Sequence, residues 1–255
     1  MDTALRAPDA VLVREACEQF DRENETSEKA LAELFAAYPG NDNASHVLLK
    51  VVALNSLYST RILAVLKLAN HIAEQGAQID AALAAGSAEA VEVIAGAGQI
   101  DLTFYSFATK YCNWHNPGAY PIYDSRVDKY LWGLKKQGLF SSEKLAERGD
   151  MWSYPAFCEV MTAFRNDFGL GAFSFKEIDK FLWSQGEAIW AMADEGYAKP
   201  WSSKRRNRSL WMPGKVSRST SLRRARNRRR VRELPLAQAV GRKRKFTGRA
   251  MTQPA

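Results

Sequence analysis

The side chains with the widest chemical reach gather in one segment, Ser106 to Leu131, which reads SFATKYCNWHNPGAYPIYDSRVDKYL. Asp124 stands where a helix is expected to begin. Exposed amides at a helix mouth favour an ionised carboxylate, so Asp124 can hold a charge for chemistry or simply cap the helix. Lys110 is placed to reach Asp124, either as an amine nucleophile of unusual placement or as an ion-paired lysine with its stem packed along its helix. Cys112 and His115, three apart, could begin a metal site, yet His46 and His71 are the remaining histidines and neither has a spaced partner. No metal and no cofactor are therefore expected.

Helices must position these groups. Apolar residues recur at three and four over residues 9–38, with a break expected near Glu23 to Ser27 and an end at Tyr38-Pro39-Gly40-Asn41. Ser45 is a candidate cap for the most apolar stretch, Val47 to Ile72, expected to be a mostly buried helix or helix pair. Glycines then punctuate two short helices, Gln78–Ala85 and Ala88–Ala95, ahead of a longer one over Leu102–Cys112. A loop through Pro117 and Pro121 follows, then a helix capped by Asp124 or Ser125 and running to Lys136. Helices are further expected at Ser142–Arg148, Tyr154–Phe168 and Phe175–Met192, the last burying Phe175, Ile178, Phe181 and Leu182 as a docking face. Alternating β-branched runs are missing, so the fold class is all-α, a compact multi-helix domain of seven to ten helices followed by a basic tail.

A small-residue helix, a Pro/Gly loop and then Pro121-Ile122-Tyr123-Asp124 at the mouth of the next helix form a plan that resembles the helix-hairpin-helix (HhH-GPD) DNA glycosylase superfamily. The likeness is to its monofunctional adenine-glycosylase branch especially, in a divergent and shortened form. It covers residues 45–135, and Ala108 to Asp124 keeps the family's separation between the helix alanine and the catalytic carboxylate. Leu48 to Thr60 looks like the buried helix that leads into the family's base pocket, and Ile79 to Ile94 like the helix pair after it.

The resemblance implies hydrolysis of a base N-glycosidic bond in DNA. Asp124 would stabilise the oxocarbenium-like state and orient water. Ser106 stands where bifunctional members carry a lysine, and Lys110 lies one turn beyond. Tyr58, Tyr105, Ser106, Trp114 and Tyr123, with Tyr111 and Tyr120 nearby, would line a pocket for a flipped base, or else pack helices together. Three departures stand out. Residues 100–105 replace the phosphate-gripping hairpin, no glutamate near Val51 offers a general acid, and the cysteines form no cluster that could hold iron and sulfur. A non-catalytic nucleic-acid-binding or protein-interaction module of the same architecture is the competing expectation.

Charge divides the chain. Of 36 Lys and Arg and 28 Asp and Glu, residues 199–255 hold 19 basic residues and one acid, Glu233, leaving 17 basic against 27 acidic for residues 1–198. A segment so basic and so poor in large apolar groups is expected to be disordered when free, so the domain boundary is placed at 198/199. Its arginines, Arg205, Arg206, Arg223, Arg224, Arg228, Arg229 and Arg230 among them, suit phosphate neutralisation and make DNA the expected partner. Two other readings stay open: a solvated extension without a partner, or the product of a shifted reading frame in GC-rich DNA. Three scattered cysteines, no apolar span and no basic leader suggest a reducing, cytoplasmic setting, with nucleoid association if DNA is bound and no membrane contact.

Overall fold

The described residues, 5–96 and 102–186 of the computed structural model, contain nine α-helices, two short 3-10 turns and no strand. The helices are α1 (Ala10–Ala37), α2 (Ala44–Leu57), α3 (Val65–Glu74), α4 (Gly76–Ala85), α5 (Glu89–Ala95), α6 (Leu102–His115), α7 (Ser125–Lys136), α8 (Tyr154–Asp167) and α9 (Phe175–Ser184). The chain divides into two units, residues 1–204 and 205–255, and all described residues lie in the first. The basic arginines from Arg205 to Arg230 lie outside the described residues, as do the glycine segment from residue 97 to 101 and the expected continuation of α9 to Met192.

Local chemistry explains where the helices start and stop, and corrects several expectations. Asp9 caps α1, accepting from the amides of Val11 and Leu12, both at 2.9 Å. No break interrupts α1 at Glu23 to Ser27. There the Asn24 amide donates to the Phe20 carbonyl and the Ser27 hydroxyl to the Asn24 carbonyl, so the polar side chains are satisfied without leaving the helix. Asn43, not Ser45, caps α2, because its Oδ1 accepts from the amides of Ser45 and His46.

The apolar stretch is indeed a helix pair, but it is less buried than its composition suggests, with Leu49, Val52, Leu57 and Leu66 all exposed. Residues 142–148 do not form the expected helix. They form 3-10 turns at Glu143–Leu145 and Arg148–Trp152, separated where the Glu147 amide donates to Asp150. Only Leu145 and Met151 are buried in these turns, too little apolar surface to sustain an α-helix. Arg148 instead pairs with buried Asp128 of α7.

A lysine also sits in the core. Lys50 of α2 is fully buried, and its ammonium donates to the carbonyls of Tyr38 and Gly40 and to Asn41 Oδ1, at 3.1, 3.0 and 2.8 Å. The first two acceptors belong to the exit from α1, so Lys50 fastens that exit to α2. Asn41 is held in turn by Tyr111 at 2.5 Å and by Asp80 of α4 at 2.6 Å. Gly76 must be glycine here, since a Cβ would stand 2.4 Å from the Asn41 carbonyl oxygen. Burial pushes the Lys50 ammonium down to about 8, with Asp80 and Asp42 pulling the other way. Burial and then Lys50 push His115 down to about 3, so its neutral ring can accept from Lys50 at 3.3 Å.

Candidate functional site

The loop between α6 and α7 is pinned from several sides before it reaches Asp124. Asn113 donates to the Tyr120 carbonyl at 2.7 Å, and Tyr120, completely buried, donates to the carbonyls of Ala82 or Ser87, both at 2.9 Å. Tyr154 donates to the Pro121 carbonyl, and the Tyr123 amide donates to Thr109 at 3.1 Å. Asparagine, tyrosine and threonine side chains thus fix a loop that has no regular backbone pairing.

Asp124 emerges as the N-cap of α7, and its two oxygens do different work. Oδ1 accepts from the amides of Arg126 and Val127, at 2.9 and 3.1 Å. Oδ2 faces Lys110 Nζ at 3.5 Å. The carboxylate is 24% exposed, whereas the Lys110 side chain is 5% exposed, so solvent reaches the pair from the Asp124 side. Burial works against the charge on Asp124. Lys110, the Val127 and Arg126 amides and the Arg126 guanidinium outweigh it and hold the group below the usual carboxylate range.

Lys110 reaches back one helical turn, donating to Ser106 Oγ at 3.0 Å, and its ammonium also lies over the Tyr58 ring, 5.8 Å from the centroid. Tyr58 closes α2 and accepts from the indole N–H of Trp114 at 3.1 Å. Beyond Tyr58 the backbone is strained, with Ser59 at φ 50° and Arg61 at φ 59°. Asn55 holds that loop, bonding to the amide and the carbonyl of Ile62 and to the Thr60 hydroxyl. A wall from α1 and α9 completes the cluster. Lys176 lies 3.3 Å from the centre of the Trp114 ring and pairs with Glu28 at 3.0 Å, while Lys180 pairs with Asp21 at 2.5 Å. Beside it, Phe20, Glu23, Arg126 and Trp183 line a groove of about 450 Å³.

The fold therefore brings Asp124, Lys110, Ser106, Tyr58 and Trp114 together. Tyr105 and Tyr123 instead turn into the core. They are 6% and 5% exposed, they pack ring to ring at 4.7 Å, and the Tyr105 hydroxyl lies 3.4 Å from the Met151 carbonyl. Tyr111 and Tyr120 are fully buried as well. Cys112 is completely buried, and no group of three His, Cys, Asp or Glu side chains able to hold a metal occurs among the described residues. Sequence reasoning missed the contribution of Glu28, Lys176, Asp179 and Lys180. The signal available was spacing: Lys176, Asp179, Lys180 and Trp183 fall at three and four residues apart, a second stripe beside the apolar face of α9.

Residues 12–119 match the family model HI_0787_N, described as an N-terminal domain. A protein of Haemophilus influenzae named only as an uncharacterized protein is 39% identical over 138 residues, which is 53% of this chain and 64% of that protein's length. No solved structure matches. The family match takes in Tyr58, Ser106, Lys110 and Trp114 and stops before Asp124 and α9. Neither name carries an activity.

Proposed function

We propose that this chain hydrolyses an N-glycosidic bond between a base and its sugar in DNA, with Asp124 as the central carboxylate. The observation that supports this most is the division of labour at Asp124. One oxygen is consumed in capping α7, while the other faces Lys110, whose ammonium also lies over the Tyr58 ring, in a carboxylate that is 24% exposed. An anion fixed in this way stabilises the positive charge that develops on the sugar as the base leaves, and it can orient the attacking water. Tyr58 and Trp114 offer faces on which an extruded base could stack, at the cost of a few kcal/mol of unstacking.

Lys110 serves here to keep Asp124 ionised. Its ammonium is occupied by Ser106 Oγ, Asp124 and the Tyr58 ring, so hydrolysis by water is expected rather than an amine–sugar adduct. The test is a panel of duplexes, each with one damaged or mismatched base, assayed for abasic sites and treated in parallel with borohydride. Abasic sites without a trapped covalent adduct are the expected result. A trapped adduct would reassign Lys110 as nucleophile, and no abasic sites at stoichiometric protein would defeat the glycosidic reading.

The second reading is a binding module in which Asp124 only caps α7. The acidic balance of residues 1–198, with 27 acids to 17 bases, favours it, because such a body repels phosphate. In either case DNA affinity is assigned to the arginines beyond residue 199.

A further inference from the structure

α9 carries one more carboxyl towards the site. Lys176, Asp179, Lys180 and Trp183 share one stripe of the helix, and three of them have identified neighbours. Lys176 meets Trp114 and Glu28, Lys180 meets Asp21, and Trp183 packs edge-on against Phe20 at 5.3 Å. Asp179 lies between the two lysines in that stripe. It is half-buried and makes no hydrogen bond or ion pair with any described residue. One turn before it Lys176 lies on Trp114, which donates to Tyr58, and one turn after it Trp183 lies 4.9 Å from the guanidinium of Arg126, in the first turn of the helix that Asp124 caps, so the stripe sets Asp179 between Tyr58 and the mouth of α7. The charges acting on it are those of Asp124, Lys110, Lys176 and Glu28.

Asp124 and Asp179 experience opposite surroundings. Asp124 has two amides and a lysine. Asp179 has no such bonded partner among the described residues, and burial, followed by the charge of Asp124, raises its carboxyl to about 7 against the weaker pull of Lys110 and Lys176. Paired carboxyls whose environments separate them in this way divide acid and base roles.

We propose that Asp179 is the acid of the site and hands its proton to the departing base while Asp124 remains the anion. This rests on the glycosidic reading above. As the C1′–N bond breaks, its electron pair goes to the base nitrogen, and the base takes up the Asp179 proton. Water then adds through oxygen to C1′, its surplus proton passes to solvent, and Asp179 is reprotonated from solvent. The substrate class follows from the chemistry. A neutral base needs that proton to leave well, whereas 7-methylguanine already carries a positive charge and leaves as a neutral molecule without it.

The experiment uses the full chain and two measurements. Carbon-13 carboxyl NMR of the wild type should show Asp179 titrating near 7, with the midpoint moving down in Asp124→Asn. In single turnover, Asp179→Asn should slow release of a neutral base at least about a hundredfold. It should leave 7-methylguanine release unchanged, and Asp179→Glu should recover part of the loss. The wild-type rate for a neutral base should fall as pH rises through 7, and that limb should vanish in Asp179→Asn. A midpoint in the ordinary carboxylate range overturns the proposal whatever the assay gives, as does equal slowing of both substrates. If the wild type releases no base, the glycosidic reading fails, and the NMR midpoint alone decides whether Asp179 is the protonated partner of Asp124.

Discussion

At Asp124, capping and the proposed chemistry share one side chain, and substitution can separate them. Asparagine is as good a cap as aspartate, so Asp124→Asn should keep α7 intact to within a few tenths of a kcal/mol. It should also deprive Lys110 of its counter-charge. The combined loss is expected to be about 1 kcal/mol, or about 2–4 °C in Tm for a chain of this size. Base release should drop by at least about a hundredfold while DNA binding holds, since the lost interaction belongs to the transition state. Calorimetry and a filter-binding assay beside the excision panel check both halves.

Lys50 supplies a second prediction at this scale. The folded chain releases the Lys50 proton near pH 8, whereas an unfolded chain holds it to about 10.5. The unfolded state therefore binds more protons in between, and this residue's contribution to stability rises with pH over that window and is lost as pH falls through 8. Urea unfolding of wild type minus Lys50→Met should show that rise. At neutral pH the substitution should cost about 3 kcal/mol, because the Tyr38 and Gly40 carbonyls lose the ammonium and Asn41 Oδ1 is left with the Tyr111 hydroxyl. A pH-independent difference would show that Lys50 does not titrate in that window.

Among the elements, the loop joining α2 and α3 leans on a side chain of α2. The Asn55 side chain ties Thr60 and Ile62 of this loop back to α2, while Ser59 and Arg61 hold backbone angles that favour glycine. Asn55→Ala should destabilise the fold by about 2 kcal/mol and raise amide exchange over residues 58–63 more than elsewhere. Arg61→Gly should do the reverse, stabilising by about 0.5–1 kcal/mol through relief of the left-handed conformation. Equal exchange in the Asn55 variant and the wild type would mean that packing, not this side chain, sets the loop.

For the molecule as a whole, the described core closes with the apolar face of α9, where Phe175, Ile178, Phe181 and Leu182 are buried. A chain ending at residue 198 is therefore expected to keep its helical circular dichroism and to melt within about 5 °C of the full chain, equivalent to roughly 1 kcal/mol. Duplex DNA titrated at several salt concentrations should bind the full chain with a steep salt dependence and bind the shortened chain weakly throughout. Among the described residues, no helix is long and apolar enough to cross a membrane.

The sequence alone determined the helical class, most helix positions and the place of Asp124 at a helix mouth, because periodicity and capping are local and act within a few residues of chain. Lys110 and Trp114 were legible for the same reason: they share a helix one turn apart. Local patterns were misleading where distant partners decide. The polar run at Glu23 to Ser27 stays helical with its side chains satisfied, and with Asp21 and Glu28 on either side of it paired to α9. Residues 142–148 lack the apolar surface to stay α-helical. Only the tertiary structure turned Tyr105 and Tyr123 into the core, buried a lysine at position 50, and packed α9, which carries Asp179, against α7, which Asp124 caps. Burial and charge act through space, so which carboxyl keeps its proton is fixed by what packs against it rather than by its neighbours in sequence.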